Sequence, residues 1–585
     1  NPDVFAPLAD ILRDPSVGKT GQNLKYDSHA VDCAFNIELQ NYVGDARLQR
    51  RLLAADVDAS LDVLAELVGL GGIKHEAQVE LEKARKMLVK VRKAYRADPE
   101  GQRKILEHDD PILLNACINV DGKQIKPKTY TYGLIDDTVM LRYNARDALT
   151  TARACELMET RLDNEPVVKR VWDEIVSKAN FSIKTVERWG IPTRLENVLS
   201  YQNHLDSKMQ VIKARFDQYG DLKLNSPKSV GDLLYKQLGL QAPKTTKSGE
   251  SSTDHETLEA LRGQHAVVDD LLEWRRLGKL HGFAKGIERH ICPDGRIHPS
   301  IKIDGTRTGR LSCNEPNLQN ISRPKDEDAK FARDLFVAEP GWELLEVDYS
   351  QLELRVASML CQDPKMLEIW QSGVDYHQRT AELISKVAWG IDPSEVTKEH
   401  RSKAKVPNFG VIYGMTAKGL AQRLGCSVRE AENIINAIKG EFVVFAKWCK
   451  DQVELARRTG FVWTWWAGER ARRRPLFDIA SQDSLRRSNA ENGAVNTPVQ
   501  GTASDFCLAS ITELVPWLIQ SKLPAQLVLT VHDSIMFHAR SDVLEEVAHN
   551  AQRIMTQWES AGVPLVVDMK RGESWGSLED YKLAA

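Results

Sequence analysis

The sequence predicts a mixed α/β, multidomain protein, and three observations carry that prediction. A chain of 585 residues is long enough for about four domains of ordinary size. Leu344 to Arg355 begins as an apolar, β-prone run and ends as a polar, helix-prone one, so it reads as a strand handing over to a helix. Val528 to Phe537 has two apolar, β-branched runs around a short His532-Asp533-Ser534 link, the pattern of a tight hairpin with Asp533 at its tip.

Composition narrows the class. Hydrophobic residues make up 42 % and charged residues 28 %, ordinary values for a soluble globular protein. No apolar run approaches the roughly 20 residues of a membrane span, and no signal peptide opens the chain. No membrane partner is therefore expected, and a cytoplasmic location is. The nine cysteines are scattered, odd in number and never spaced C-x-x-C, which favours a reducing compartment and argues against structural zinc. A net charge of −3 announces no nucleic-acid partner, so any DNA site must come from local segregation of charge. The chain begins Asn-Pro-Asp rather than with Met, which suggests a processed or trimmed product.

To about residue 165, short strand-like and helical patterns alternate. Asp27 follows a polar run from Val17, and Leu141 to Ala148 opens a helix on which Tyr143 and Asp147 share a face. On spacing alone that face is a polar surface stripe. Lys83 to Arg96 is a basic helix, better read as a solvated face than as a phosphate track. From 166 to 300 the pattern is long and helical. Asn225-Ser226-Pro227-Lys228 signals a helix start. Lys244 to Thr253 is a small, polar, basic loop, either a linker or a phosphate contact. No repeat is apparent, so the architecture is not a solenoid.

Asp304 to Ser312 surrounds Arg310 with small residues, which lets backbone approach a duplex while the guanidinium reaches a groove or phosphate. At the central handover Asp348 ends the strand, and Ser350 with Glu353 has capping-box spacing. Asp348 and Asp533, presented from adjacent strands, suit a pair of hard divalent cations that share their shell with phosphate. In Arg401 to Gly414, residues Arg401, Lys405, Phe409 and Tyr413 recur every fourth position along one helix face. Two cations followed by two aromatics suit a nucleoside triphosphate, and a core stripe with snorkelling cations is the competing reading. Pro407 should kink that helix between Lys405 and Phe409. Arg470, Arg472, Arg473 and Arg474 lie near Trp463, Trp465 and Trp466, a cationic patch that invites a single-stranded template. Asn496 to Asp505 should begin a helix rich in small residues.

Together these segments resemble the family A DNA polymerases, the group of bacterial DNA polymerase I and its phage relatives. DYSQLELR, RSKAKVPNFGVIYG and VHDS resemble the family's three polymerase motifs in order, and TGRLS with PNLQNI, and NTPVQGTASD, match two further signatures. GQNLKYD and YNARD are similar to the second and third motifs of the family's 3′–5′ exonuclease domain. The resemblance implies a right-hand fold with an N-terminal, incomplete RNase H-like exonuclease domain at 1–165. A thumb at 166–300, palm at 301–365 and 496–585, and fingers at 366–495 would follow.

The activity implied is template-directed addition of deoxynucleotides to a primer 3′-end, with primer–template DNA and dNTPs as partners and a processivity or replisome protein as a further candidate. Asp348 and Asp533 would hold two Mg²⁺ ions, Mn²⁺ being an alternative, and Lys405 would join them in the catalytic set. Arg401, Lys405, Phe409, Tyr413, His377, Gln351 and Glu353 would bind the dNTP, with Glu353 crowding a ribose 2′-hydroxyl. Arg310, Asn496, Gln500 and His532 would read the minor groove, whose degenerate acceptors report pair geometry. Asp27, Tyr143 and Asp147 would be exonuclease remnants. Departures from the pattern are Ser534 where the family usually has Glu, Asn492 where it commonly has Arg, and Pro407 in place of an aliphatic residue. No Asp-x-Glu strand precedes GQNLKYD, so Asp27 and Asp147 alone make an incomplete metal cage and proofreading is not expected; nor is a 5′ nuclease domain. The rival readings are a 3′–5′ exonuclease and an inactive DNA-binding subunit.

Overall fold

A computed structural model describes residues 2–71, 74–98, 100–101, 104, 135–246, 249–321, 326–465 and 469–583. Trp466, Lys247 and Ser248 lie outside the described residues, as do the side chains of Tyr95 and Arg96. The chain groups into two compact units, Asn1–Phe181 with Asp451–Pro498, and Ser182–Lys450 with Val499–Ala585. Among the described residues no helix is long and apolar enough to cross a membrane.

In the first unit, β1 (Lys19–Gly21) and β2 (Tyr42–Asp45) pair in parallel. Each strand runs into a helix, α1 (Leu24–Phe35) and α2 (Ala46–Leu53). Asp45 fixes both turns. Its buried carboxylate accepts from the backbone N–H groups of Asn23, Leu24, Arg47 and Leu48 at 2.8–3.1 Å, serving as the N-cap of α2. The long α3 (Asp137–Asp163) packs Ala154 and Cys155 against Ala46 and Leu64. It starts at its Asp136 cap, so Tyr143 and Asp147 lie inside the helix rather than at its opening. The basic helix Lys74–Ala97 pairs Lys83 with Glu80 at 2.6 Å and Lys86 with Glu82 at 3.9 Å, as a solvated face does.

The unit's second stretch is a hairpin, Phe461–Trp463 with Arg473–Pro475, over a core of Ala456, Val462, Leu476 and Ala494. The cationic patch seen in the sequence is paired with acidic residues here. Arg470 pairs with Glu174 and Arg473 with Glu165, and Arg473 also lies 4.7 Å over the Phe461 ring. Arg474 reaches Asp56 at 3.3 Å and Thr497 at 2.7 Å. Sequence could not supply these acidic partners because most lie hundreds of residues away.

In the second unit, α4 (Leu195–Phe216) and α5 (Ala266–Glu288) meet on buried Asp328, which His204, Lys208 and Arg276 engage at 2.7, 2.8 and 2.5 Å. Burial would raise its carboxyl, but these three partners hold it well below the usual range. Ser226 caps the short helix Pro227–Gly231, as its sequence predicts. In the polar loop, Lys244 is held by Asp254 at 3.1 Å and Glu256 at 3.3 Å.

The organising element is a five-stranded antiparallel sheet of β3 (Trp342–Tyr349), β4 (Ala525–Val531), β5 (Ser534–Arg540), β6 (Val567–Gly572) and β7 (Glu579–Tyr581). Its order is β4-β5-β3-β6-β7, with β3 at the centre. Period-two alternation explains the two faces of β3. Leu345, Val347 and Tyr349 are buried on one side, whereas Glu346 and Asp348 are half-buried on the other. After β3 come α6 (Leu352–Cys361), α7 (Tyr376–Ala388), α8 (Lys398–Ile412) and α9 (Ser484–Ser521), and α10 (Leu544–Thr556) follows β5. The Tyr349 hydroxyl donates to the Met555 carbonyl at 2.6 Å and lies 2.9 Å from Ser510 Oγ, tying α10 and α9 to the apolar face. Helix α9 starts at Ser484, so Asn496 to Asp505 falls in its middle rather than at a helix start.

Candidate active site

The polar face of β3 ends in Asp348, which lies opposite Ser534 in the β5 register. His532 and Asp533 form the two-residue link between β4 and β5, and the Tyr349 N–H donates to the Asp533 carbonyl at 3.2 Å. Asp348 and Asp533 are therefore neighbours across one strand junction, both half-buried. Beneath them lies buried Cys507 of α9, whose thiol is pushed up by burial and then by the Asp533 and Asp348 charges. Two carboxylates at one strand junction fit a hard cation that completes its shell with phosphate and water oxygens. Among the described residues no set of three or more His, Cys, Asp or Glu side chains is arranged to hold a metal ion.

The handover after β3 differs from the capping box its spacing predicts. The N-cap of α6 is Gln351, in the left-handed region at φ +55°, with no side-chain capping bond. Glu353 instead turns to Arg310 and forms an ion pair with it. An arginine brought from 43 residues away outcompetes an exposed capping geometry because Glu353 is 7 % exposed, and a buried carboxylate needs a partner. Burial raises the Glu353 carboxyl and nearby Asp533 adds to this, while Arg310 opposes both. The Arg310 loop is itself pinned. Thr306 Oγ1 donates to the Arg310 carbonyl at 2.8 Å, and Ser504 Oγ of α9 donates to the Gly309 carbonyl at 2.7 Å, where Gly309 turns at φ +85°.

Helix α8 carries Arg401, Lys405 and Phe409 at successive turns. Pro407 lies inside the helix without ending it. Tyr413 is the C-cap, just past the last helical residue, yet its ring still stacks on Phe409 at 6.1 Å and 17°. Arg401 forms a two-pronged pair with Asp375 at 2.9 and 2.6 Å. Asp375 also caps α7 through the Gln378 N–H at 2.8 Å and accepts from Gln351 Nε2 at 3.4 Å. Burial raises the Asp375 carboxyl, but Arg401 and the Gln378 N–H bring it below the ordinary value.

His377 is 3 % exposed and packs its ring 5.8 Å from that of Phe409. Asn408 Nδ2 donates to its Nδ1 at 2.9 Å, so Nε2 carries the ring proton. Burial brings its pKa down to about 4; Asp375 opposes the shift and Lys405 and Arg401 reinforce it. The imidazole is therefore a neutral donor at pH 7.

The expected residues fall into one main group. Asp348, Asp533, Glu353, Arg310 and Gln351 gather around the β3–α6 handover, and Arg401 and His377 join it through Asp375. Gln500 is half-buried on α9, one turn after Asn496, and His532 is exposed at the hairpin tip with φ +58°. In the first unit Asp27 lies in the opening turn of α1, where partial burial of its carboxyl and the Asp45 charge raise it. Tyr143 and Asp147 share the face of α3, which also bonds Cys155 Sγ to the Gly21 carbonyl at 3.4 Å. Sequence reading missed Asp375, Asn408, Arg355 and Cys507. Asp375 had a detectable signal, an Asp just ahead of a helical pattern. Arg355 had none. It donates to the Ser350 carbonyl at 2.8 Å and lies 4.2 Å over Trp370, with burial lowering its pKa to about 10.

Comparison with known proteins adds an independent line. A family model described as DNA polymerase family A matches residues 195–577, and one described as 3′–5′ exonuclease matches residues 1–94. DNA polymerase I of Pseudomonas aeruginosa is 32 % identical over 581 residues, 98 % of this chain and 58 % of that protein. DNA polymerase I of Caldicellulosiruptor bescii is 33 % identical over 429 residues, 70 % of this chain and 49 % of its own length. The chain thus spans about half the length of the relatives it matches. Among solved structures, the POL domain of Pol1 from M. smegmatis, in complex with DNA primer-template and dNTP, superposes with a TM-score of 0.79 at 24 % identity. That alignment covers 99 % of this chain and 89 % of the other.

Proposed function

This chain belongs to DNA polymerase family A, and from that premise we propose that it extends a primer 3′-end by template-directed transfer of deoxynucleotides. The observation that carries the proposal is the junction of Asp348 with Asp533 at the ends of β3 and β4. We assign residues 166–300 to a thumb, 301–365 and 496–585 to a palm, and 366–495 to fingers. The partners would be primer–template DNA and dNTPs, met in the cytoplasm, with a processivity or replisome protein as a further candidate.

Asp348 and Asp533 would hold Mg²⁺, two ions or their Mn²⁺ equivalents. When bound, such ions lower the pKa of the primer 3′-hydroxyl and neutralise charge on the departing pyrophosphate. The protein's own groups do the rest. Arg401 and Lys405 present cations to the triphosphate, Arg401 exchanging its Asp375 partner for phosphate oxygens. His377 offers its Nε2–H to the same phosphates without adding charge. Phe409 and Tyr413 form a flat wall for the sugar and nascent pair. Glu353, held by Arg310, fills the space that a ribose 2′-hydroxyl would need. Arg310, Asn496, Gln500 and His532 are assigned to minor-groove contacts that test pair shape rather than sequence.

The exonuclease-like segment is proposed to serve structure rather than proofreading, because Asp27 and Asp147 alone make an incomplete metal cage, and Asp45, the most deeply buried carboxylate among its described residues, commits its oxygens to four backbone N–H groups. Incubating primer–template with and without dNTPs separates the alternatives, since extension, shortening and no change identify a polymerase, an exonuclease and a binding subunit in turn. Asp533→Asn should abolish extension while duplex binding persists. Extension by that variant at the parent rate would remove the assignment of Asp533.

A further inference from the structure

Ser534 stands immediately after Asp533 and directly opposite Asp348, so its side chain shares the polar face of the sheet with Asp348. It is 7 % exposed, and its hydroxyl donates to Glu346 Oε1 at 3.1 Å. Glu346 precedes Asp348 by two positions on β3 and therefore projects from the same face. A surface glutamate in the middle of a sheet ordinarily pairs straight across. Lys570 lies straight across from Glu346 on β6, but its ammonium turns to Asp580 at 3.3 Å. The other cross-strand neighbour, Met536 on β5, is apolar. Glu346 thus leans diagonally towards the end of the strand, in the direction of Asp348 and Asp533.

We propose that Glu346, acting through its hydrogen bond to Ser534, is a positioning carboxylate of the polymerase site that adds a further negative charge beside the Asp348–Asp533 pair, on the face where Asp568 of β6 already stands opposite Asp348. The proposal rests on the polymerase reading above. It has two physical consequences. The Glu346 bond fixes the Ser534 rotamer and with it the link that aims Asp533. The Glu346 charge also deepens the negative potential at the strand junction while its carboxylate is engaged by Ser534.

The test reads binding, not turnover. A primer ended in a dideoxynucleotide is held on its template with the next correct dNTP, and ternary-complex formation is followed by fluorescence anisotropy against Mn²⁺ concentration. Glu346→Gln should raise the half-saturating Mn²⁺ concentration by about tenfold, the usual effect of losing a group behind a metal ligand. Ser534→Ala breaks the same hydrogen bond but keeps the charge, and should shift the curve in the same direction by less. The double variant Glu346→Gln with Ser534→Glu moves the carboxylate across the strand pair and should bring the curve back towards that of the parent. Thermal melts of each variant verify that it is folded. A Glu346→Gln or Ser534→Ala curve that overlays the parent's overturns the proposal, as does a double variant no better than Glu346→Gln. Failure of the parent protein itself to form a dNTP-dependent complex would instead remove the polymerase reading, and this proposal with it.

Discussion

Replacing His377 with Gln tests whether the imidazole packed against Phe409 is neutral in the folded protein. The ring is 3 % exposed and its pKa is brought down to about 4, against an ordinary value near 6.5. Between those two values the unfolded chain binds a proton that the folded chain does not, so stability must fall as pH falls through that window. The loss is negligible at pH 7. Integrated over the shift, it reaches about 2 kcal/mol at pH 5 and about 3 kcal/mol below pH 4. A glutamine shares every other titration with the parent but lacks this one. The loss of stability from pH 7 to pH 5, measured by urea denaturation, should therefore be smaller in His377→Gln by about 2 kcal/mol. Following the histidine ring protons by NMR, with the variant supplying the assignment, gives the pKa directly. A folded-state value of 6 or above, or parallel pH dependences in the two proteins, would refute the reasoning.

Two further predictions address the same unit. Asp363 is 1 % exposed and caps two helices at once, accepting from the N–H groups of Lys365 and Met366 at 3.0 and 3.4 Å and of Val444 and Phe445 at 2.9 and 3.0 Å. Asp363→Ala should cost about 3 kcal/mol, two caps plus buried donors left unmade, and a melting temperature unchanged from the parent would show that the caps carry little. Phe409→Tyr adds a hydroxyl to the aromatic wall formed with Tyr413, and should increase use of dideoxynucleotides relative to deoxynucleotides in a competition assay. An unaltered ratio would separate Phe409 from the sugar pocket.

What the sequence revealed, and what it hid, follows from the range of the interactions involved. The β3–α6 handover and the Asp533 hairpin were legible because alternation, helix propensity and a two-residue link are written in consecutive residues. The α8 stripe was legible through helical spacing, although Tyr413 turned out to belong to the cap and not the helix. The errors concern charged side chains whose partners lie far along the chain. Glu353 looked like a capping residue until Arg310 arrived from 43 positions upstream. The arginines from 470 to 474 read as a cationic patch, and no local signal marked Glu174, Glu165 and Asp56, which pair with Arg470, Arg473 and Arg474. Local patterning specifies backbone well, whereas the partner of a charge is decided by the tertiary fold.

The backbone around the two aspartates carries strain. A non-glycine residue in the left-handed region stands close to each, Gln351 at φ +55° three positions after Asp348 and His532 at φ +58° immediately before Asp533. Such conformations cost about 1 kcal/mol or more each and relax unless their surroundings impose them. Here the imposing structure is the sheet itself. Leu345, Val347, Leu527, Leu529, Ile535 and Phe537 are all fully buried in the three strands that carry the site. At about 1.5–3 kcal/mol for each such side chain, their burial exceeds the local strain several-fold. A change that loosened this apolar face, with no contact to substrate, should therefore let both turns relax together and separate the carboxylates. On the proposed polymerase reading, a core substitution such as Val347→Ala should slow primer extension at a temperature where a thermal melt shows the protein still folded, and extension at the parent rate would refute the coupling.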